Sequence, residues 1–194
     1  MTASYTMPMY RDTWGLKPSF SKYPGAFPSG LLNRVRSRWW GRDRLWMFSG
    51  SHQDRGGITV DIKSEIRDNS GTLIARPDVV ANCEHLPFRD GSFDFVFLDP
   101  PYSKEEARQL YGLPYCSIVQ VMNEAARVCA PGGHVVLLHR LVPTVHPMDS
   151  AERKKLKMVA AVGVYISPGI TSMRGLSVWR KRETMAQWSD GGEQ

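Results

Sequence analysis

Cysteine is scarce in this chain, with three in 194 residues: Cys83, Cys116 and Cys129. An odd number cannot pair completely, and no two stand in C-x-x-C spacing. A disulfide framework and a thiolate metal knuckle are therefore both excluded as organising principles. Reduced thiols and a cytoplasmic location are the expectation. Long apolar runs are also missing. Stretches such as Val135-Val136-Leu137-Leu138 fall far below the roughly 18 residues that span a bilayer, so no membrane association is expected. The first residues carry Pro8, Tyr10, Arg11 and Asp12 without an apolar segment, and no secretory signal is read there. The five histidines (His52, His85, His134, His139, His146) share no ligand spacing with cysteines or carboxylates. No metal site is expected.

What remains is the composition of one globular domain, 42% hydrophobic and 23% charged with a mean hydropathy of -0.34. The net charge of +6 is unevenly placed. Residues 1–44 hold eight basic residues against Asp12 and Asp43, and the rest of the chain holds 17 of each sign. Clustered Lys and Arg attract phosphates, so Arg34, Arg36, Arg38, Arg42 and Arg44 are candidate nucleic-acid contacts. A solvated helix face is the alternative.

Residues 1–28 lack periodicity and read as an irregular arm, residues 29–182 as the folded domain and residues 183–194 as a tail. Ser29 is read as the cap of a helix carrying Leu31, Leu32, Val35 and Trp39 at helical spacing, closed by Gly41. Apolar runs then alternate with helical segments. Runs at 45–48, 58–62, 79–81, 93–98 and 135–138 read as strands. Ser103 with Glu106 forms a capping box, Pro114 opens a longer helix, and Pro131-Gly132-Gly133 closes it. Residues 152–157 read as a short exposed helix. The runs 159–166 and 176–179, either side of Ser167-Pro168-Gly169, read as an antiparallel pair. This alternation predicts an α/β fold with a mostly parallel sheet covered on both faces. Ligands of such sheets sit beyond the carboxyl ends of the strands.

The sharpest signal stands at such an end. The strand Phe93-Asp94-Phe95-Val96-Phe97-Leu98 runs directly into Asp99-Pro100-Pro101-Tyr102. Two prolines impose a rigid extended turn and remove two backbone donors. Carbonyl acceptors, a carboxylate and an aromatic ring are gathered there, which suits a planar group bearing an amino substituent.

This run resembles the catalytic motif of S-adenosylmethionine-dependent amino-methyltransferases, in particular the adenine N6 DNA methyltransferases. Leu86-Pro87-Phe88 through Ser92-Phe93-Asp94, Glu124 to Gly133, and Arg174 to Lys181 are similar to other parts of the class I methyltransferase pattern. The resemblance covers about residues 30–182. It implies a Rossmann-like class I sheet with a C-terminal antiparallel hairpin and S-adenosylmethionine as cofactor. Phe48, Ser49, Gly50 and Ser51 would form the glycine-containing cofactor loop. Asp61 would accept from the ribose hydroxyls, and Asn82 and Cys83 would flank the adenine. Asp99 would border the cofactor, accept the substrate amine together with the Pro100 carbonyl, and be followed by Pro101 and by Tyr102 as the stacking ring.

One departure is plain. Only nine residues separate Ser51 from Asp61, where a parallel crossover commonly needs about a dozen or more, so the first crossover helix is truncated. Lys22-Tyr23-Pro24-Gly25-Ala26-Phe27-Pro28 resembles the segment that touches the methionine end of the cofactor in DNA amino-methyltransferases. The resemblance implies methylation of an exocyclic base amine, adenine N6 in DNA ahead of RNA. The alternatives are a small-molecule or protein amine, or a catalytically silent nucleic-acid-binding module. The chain has little room for a recognition domain, so a homodimer or a separate recognition partner is a further expectation.

Overall fold

The computed structural model describes residues 9–21, 23, 26–54, 56–140, 142, 155–166 and 173–183. The chain runs through β1 (Tyr10–Leu16), α1 (Leu31–Trp39), β2 (Arg44–Met47), β3 (Gly57–Asp61), β4 (Ile66–Arg67), β5 (Leu73–Ala75), β6 (Val79–Val80) and β7 (Phe93–Leu98). It continues through α2 (Lys104–Glu106), which passes into a π-helical stretch (Ala107–Tyr111). It then forms α3 (Ile118–Val128), β8 (Cys129–His139), β9 (Leu156–Ile166) and β10 (Met173–Lys181). Eight strands make one sheet in the order β1-β9-β10-β8-β7-β2-β3-β6. The run from β6 to β8 is parallel, and β10 is antiparallel to both β8 and β9. The expected mostly parallel sheet with a closing hairpin is therefore the observed one.

Burial on both faces explains why the central strands read as continuous apolar runs. On one face Val96 and Leu98 of β7 pack with Val121, Met122 and Ala125 of α3. On the other, Phe95 and Phe97 pack with Val35 and Trp39 of α1 and with Trp14 and Trp46. Each such side chain withdrawn from water contributes about 1.5–3 kcal/mol. The carboxyl end of α3 is fastened by Lys181, whose ammonium donates to the Ala126 and Cys129 carbonyls, both at 2.7 Å. A cation there also complements the helix dipole.

Several expectations are corrected. The arm is not irregular throughout, because β1 joins the sheet edge parallel to β9, from Tyr10 opposite Ala160 to Leu16 opposite Ile166. Gly30, not Ser29, caps α1; its φ of 90° is a left-handed turn that glycine adopts without strain. α3 starts at Ile118 with Ser117 as cap, leaving Pro114 in the preceding loop. β8 starts at Cys129, and Pro131-Gly132-Gly133 lies within a register irregularity rather than a separate turn. A Cβ on Gly133 would stand 2.8 Å from the Asp94 carbonyl, so only glycine fits that bulge. Leu156 and Lys157 belong to β9 rather than to a helix; residues 152–154, the 167–169 turn and the tail from 184 onward lie outside the described residues.

The truncated crossover is present as expected, with no helix among the described residues between β2 and β3. Asp54 closes this short loop. Its carboxylate accepts from Arg44 Nε at 2.7 Å, Arg44 Nη2 at 3.1 Å, Trp46 Nε1 at 2.8 Å and Gly56 N at 3.1 Å. These bonds pull its pKa well below the ordinary carboxylate range despite burial, which acts in the opposite direction. Four donors on one carboxylate thus replace a helix as the element that sets β2 against β3.

Candidate active site

The carboxyl ends of β2, β3 and β7 converge, and their side chains line one small cavity with Tyr23, Tyr111 and Leu113. From β2 comes a tight turn in which Phe48 and Gly50 both take left-handed backbone conformations, φ 58° and 50°. Such a conformation costs a non-glycine residue roughly 1–2 kcal/mol, and strain of this kind tends to collect at functional turns. Gly50 also lies under the Tyr23 ring, and a Cβ there would meet Tyr23 Cε1 at 2.8 Å. Between them Ser49 is buried, and its hydroxyl has no hydrogen-bond partner among the described residues. Ser51 is partly buried and lines the neighbouring cleft beneath the arm with Ser49 and His52.

From β3 comes Asp61, 9% exposed, with Gly50 N donating to Oδ2 at 3.0 Å and Lys63 N to Oδ1 at 3.1 Å. Each oxygen keeps a second lone pair for an incoming hydroxyl. After β6, Asn82 is exposed and caps its own turn, accepting from Glu84 N at 2.9 Å. Cys83 is buried at 3% exposure and hydrogen-bonds the Phe48 backbone. It supports the loop from within the core and presents little surface to a ligand.

From β7 comes Asp99, followed by buried Pro100 and partly buried Pro101. The Tyr102 hydroxyl donates to Asp99 Oδ1 at 2.7 Å. Burial drives the Asp99 pKa up to about 7; the Tyr102 bond and the Arg174 charge act in the lowering direction, and Glu106 raises it. Tyr102 is held from three sides. Its backbone N–H donates to Glu106 at 2.6 Å, the Arg174 guanidinium lies over its ring at 5.5 Å, and His139 meets it edge to face at 5.2 Å. The capping box is displaced by one residue, since Ser103 Oγ accepts from Glu106 N while the Glu106 carboxylate reaches Tyr102 rather than Ser103. Tyr102 anchors Asp99, and the face covered by Arg174 is not open for stacking. Tyr111, which lines cavities on both sides of Asp99, is the less constrained ring.

The cavity between Asp61 and Asp99 measures about 50 Å³, whereas ligand sites commonly span roughly 300–1,000 Å³. The Tyr23 and Tyr111 rings, 6.4 Å apart, must separate to admit a nucleoside. Tyr23, Glu106, Tyr111 and Arg174 are site members that the sequence alone does not mark as such. Tyr23 had one signal, its place in the segment 22–28; Lys22, Pro24 and Gly25 of that segment lie outside the described residues.

The basic cluster is separate from this centre. Arg34 and Arg38 lie over Trp14 at 5.5 and 5.6 Å, and Arg36 over Trp40 at 4.4 Å. Arg42 is exposed, and its backbone N–H donates to Asp94. Arg44 is a correction: its side chain is 12% exposed and committed to Asp54, so it is a structural ion pair rather than a phosphate contact. Among the described residues no cluster suited to a metal is present, and no helix is long and apolar enough to cross a membrane.

The parallel sheet with its antiparallel hairpin, and acidic residues at the ends of β3 and β7, define the class I methyltransferase fold. A family model described as a methyltransferase domain matches residues 51–137, from the loop after β2 into β8. The chain therefore has the class I methyltransferase fold and carries a match to a methyltransferase domain, which together imply S-adenosylmethionine as cofactor. A SAM-dependent methyltransferase from Methanosarcina mazei is similar over 77% of this chain and 98% of its own, at 13% identity and a TM-score of 0.50. The YcgJ protein of Bacillus subtilis is similar over 80% and 98%, at 15% identity and a TM-score of 0.50. The [4+2]-cyclase SpnF is similar over 79% and 81%, at 13% identity and a TM-score of 0.50. At such identities the likeness is one of fold, and the fold hosts more than one chemistry. No protein of curated function matches the sequence.

The residues present fit the cofactor. Asp61 retains acceptor capacity for a diol, Phe48 and Gly50 of the 48–51 turn line the cavity beside it, and Gly50 permits close approach.

Proposed function

We propose that the protein methylates an exocyclic amine of a nucleic-acid base, adenine N6 in DNA before RNA. The observation that carries this reading is Asp99-Pro100-Pro101-Tyr102 at the end of β7, whose Asp99 and Pro101 share one cavity with Asp61. Asp61 and the 48–51 turn would hold the nucleoside and methionine portions of S-adenosylmethionine. When bound, the cofactor supplies an electrophilic methyl group on a sulfonium sulfur.

An aromatic amine is a weak nucleophile because its lone pair is delocalised into the ring. Asp99, as the carboxylate, accepts one amine N–H and the Pro100 carbonyl the other, which turns the lone pair out of conjugation. Tyr102 fixes the orientation of Asp99, so little reorganisation is needed during reaction. Tyr111 is the ring placed to stack on the base. Alignment of the amine is the main contribution asked of the protein. No cysteine is needed as nucleophile, in keeping with Cys83 and Cys129 lying in the core.

Arg34, Arg36, Arg38 and Arg42 form a basic surface for the polymer, with a homodimer or separate partner supplying sequence recognition. The deciding experiment is transfer of a labelled methyl group from S-adenosylmethionine to DNA, RNA, protein and small-amine pools, with identification of the product. N6-methyladenine in DNA is the expected product. Label only in protein or small amines would refute the base reading, and no transfer to any pool would favour the silent binding module.

A further inference from the structure

Arg174 is the second residue of β10, so in this antiparallel strand it stands beside the carboxyl end of β8, with Gly175 opposite His139. That brings it to the rim where Asp99 lies. It lines a cavity with Asp99, Pro101, Tyr102, Glu106 and Tyr111. The residue is partly buried, yet within the described residues its guanidinium forms no hydrogen bond or ion pair and only rests on the Tyr102 ring at 5.5 Å. The well-covered arginines elsewhere behave differently. Arg44 is bound to Asp54 at 2.7 Å, and Arg127 to Glu124 and Asp90, both at 2.8 Å.

A partly desolvated guanidinium without an acceptor is unfavourable unless a ligand supplies one. Asp99 is near enough to feel its charge but is not paired with it, and its Oδ1 accepts from the Tyr102 hydroxyl. Tyr102 touches both, through its hydroxyl and its ring respectively, and anion and cation line one cavity. A substrate that presents an amine to one and an oxyanion to the other satisfies both. The planar five-donor fork of arginine matches a phosphate in bidentate fashion.

We infer that Arg174 is the substrate-anion residue of the active site and binds the backbone phosphate next to the base whose amine reaches Asp99. This inference rests on the nucleic-acid reading above and makes it more specific, since the α1 arginines would bind polymer at a distance while Arg174 binds the target nucleotide.

The test compares wild type with Arg174→Met, which keeps cover over the Tyr102 ring, and Arg174→Lys, which keeps the charge. Deoxyadenosine, deoxyadenosine monophosphate and a labelled oligonucleotide are titrated, with S-adenosylmethionine affinity and melting temperature as controls for folding. Wild type should prefer the monophosphate to the nucleoside by about tenfold or more, as expected for a charged hydrogen-bond pair. Arg174→Met should lose that preference and flatten the log–log salt slope for the oligonucleotide by about 0.7–0.9, and Arg174→Lys should recover part of both. An unchanged preference and slope in a folded Arg174→Met overturns the assignment and leaves the nucleic-acid reading intact. Wild type that binds none of the three overturns both.

Discussion

Asp99 makes a prediction whose sign and size both come from the structure. Burial raises its pKa from 3.8 to about 7. The folded protein therefore holds a proton on Asp99 between about pH 4 and pH 7 that the unfolded chain has released. Stability falls with rising pH wherever the folded state binds more protons. The contribution is fully present below the unfolded pKa, declines through the folded pKa near 7, and is then lost. Three pKa units at 1.36 kcal/mol each give an upper figure of roughly 4 kcal/mol. For a chain of this size that is roughly 10 °C in melting temperature.

Asp99→Asn keeps the shape and an acceptor for the Tyr102 hydroxyl but cannot ionise. The assay is paired thermal melts of both proteins at half-unit steps from pH 4 to 9. Carboxylates with depressed values, such as Glu124 and Asp90 beside Arg127, act alike in both proteins and cancel in the difference. The variant should gain on wild type steadily up to about pH 7 and then hold a constant lead. A difference that stays flat across this range would refute the claim that Asp99 is forced to ionise against burial. The same titration gives a kinetic expectation: methyl transfer by wild type rises with pH through about 7 as the carboxylate becomes available to accept the amine, and Asp99→Ala retains less than a tenth of the turnover.

Asp61→Ala should weaken S-adenosylmethionine binding by about 1.5–3 kcal/mol, the worth of a charged acceptor, and calorimetry that finds equal affinity would remove Asp61 from the site. Asp54→Ala strands Arg44 and the Trp46 N–H, so urea unfolding should show a loss of about 3–5 kcal/mol; a midpoint within experimental scatter of wild type would show that the crossover is held by other means. The triple change of Arg34, Arg36 and Arg38 to Gln should keep the fold and lower oligonucleotide affinity without sequence preference. It should also flatten the salt slope by about 0.7–0.9 for each phosphate no longer neutralised. An unaltered slope would make these arginines a solvated face stacked on Trp14 and Trp40.

The central strands and the chemistry at their ends are written in local sequence. β7 and the core of β8 were legible because burial on both faces leaves an uninterrupted apolar run, and Asp61 and Asp99 because a carboxylate terminates such a run. β1 was not legible, since of its seven residues only Trp14 and Leu16 are buried and its pairing depends on β9 lying beside it. The segment 152–157 misled for a related reason: its lysines favour a helix locally, while pairing with β10 places Leu156 and Lys157 in a strand.

The assembled fold alone sets what surrounds the two carboxylates. Tyr23 and Arg174 come from opposite ends of the chain, and no local spacing records that the arm covers Gly50 or that the start of β10 faces Tyr102. It also turned Arg44 from a surface charge into the partner of Asp54, and Tyr102 from a stacking platform into the anchor of Asp99. Local sequence sets which groups stand at a strand's end, because that depends on neighbours along the chain. Their pairing, burial and protonation depend on neighbours across space, and sheet order alone brings those neighbours together.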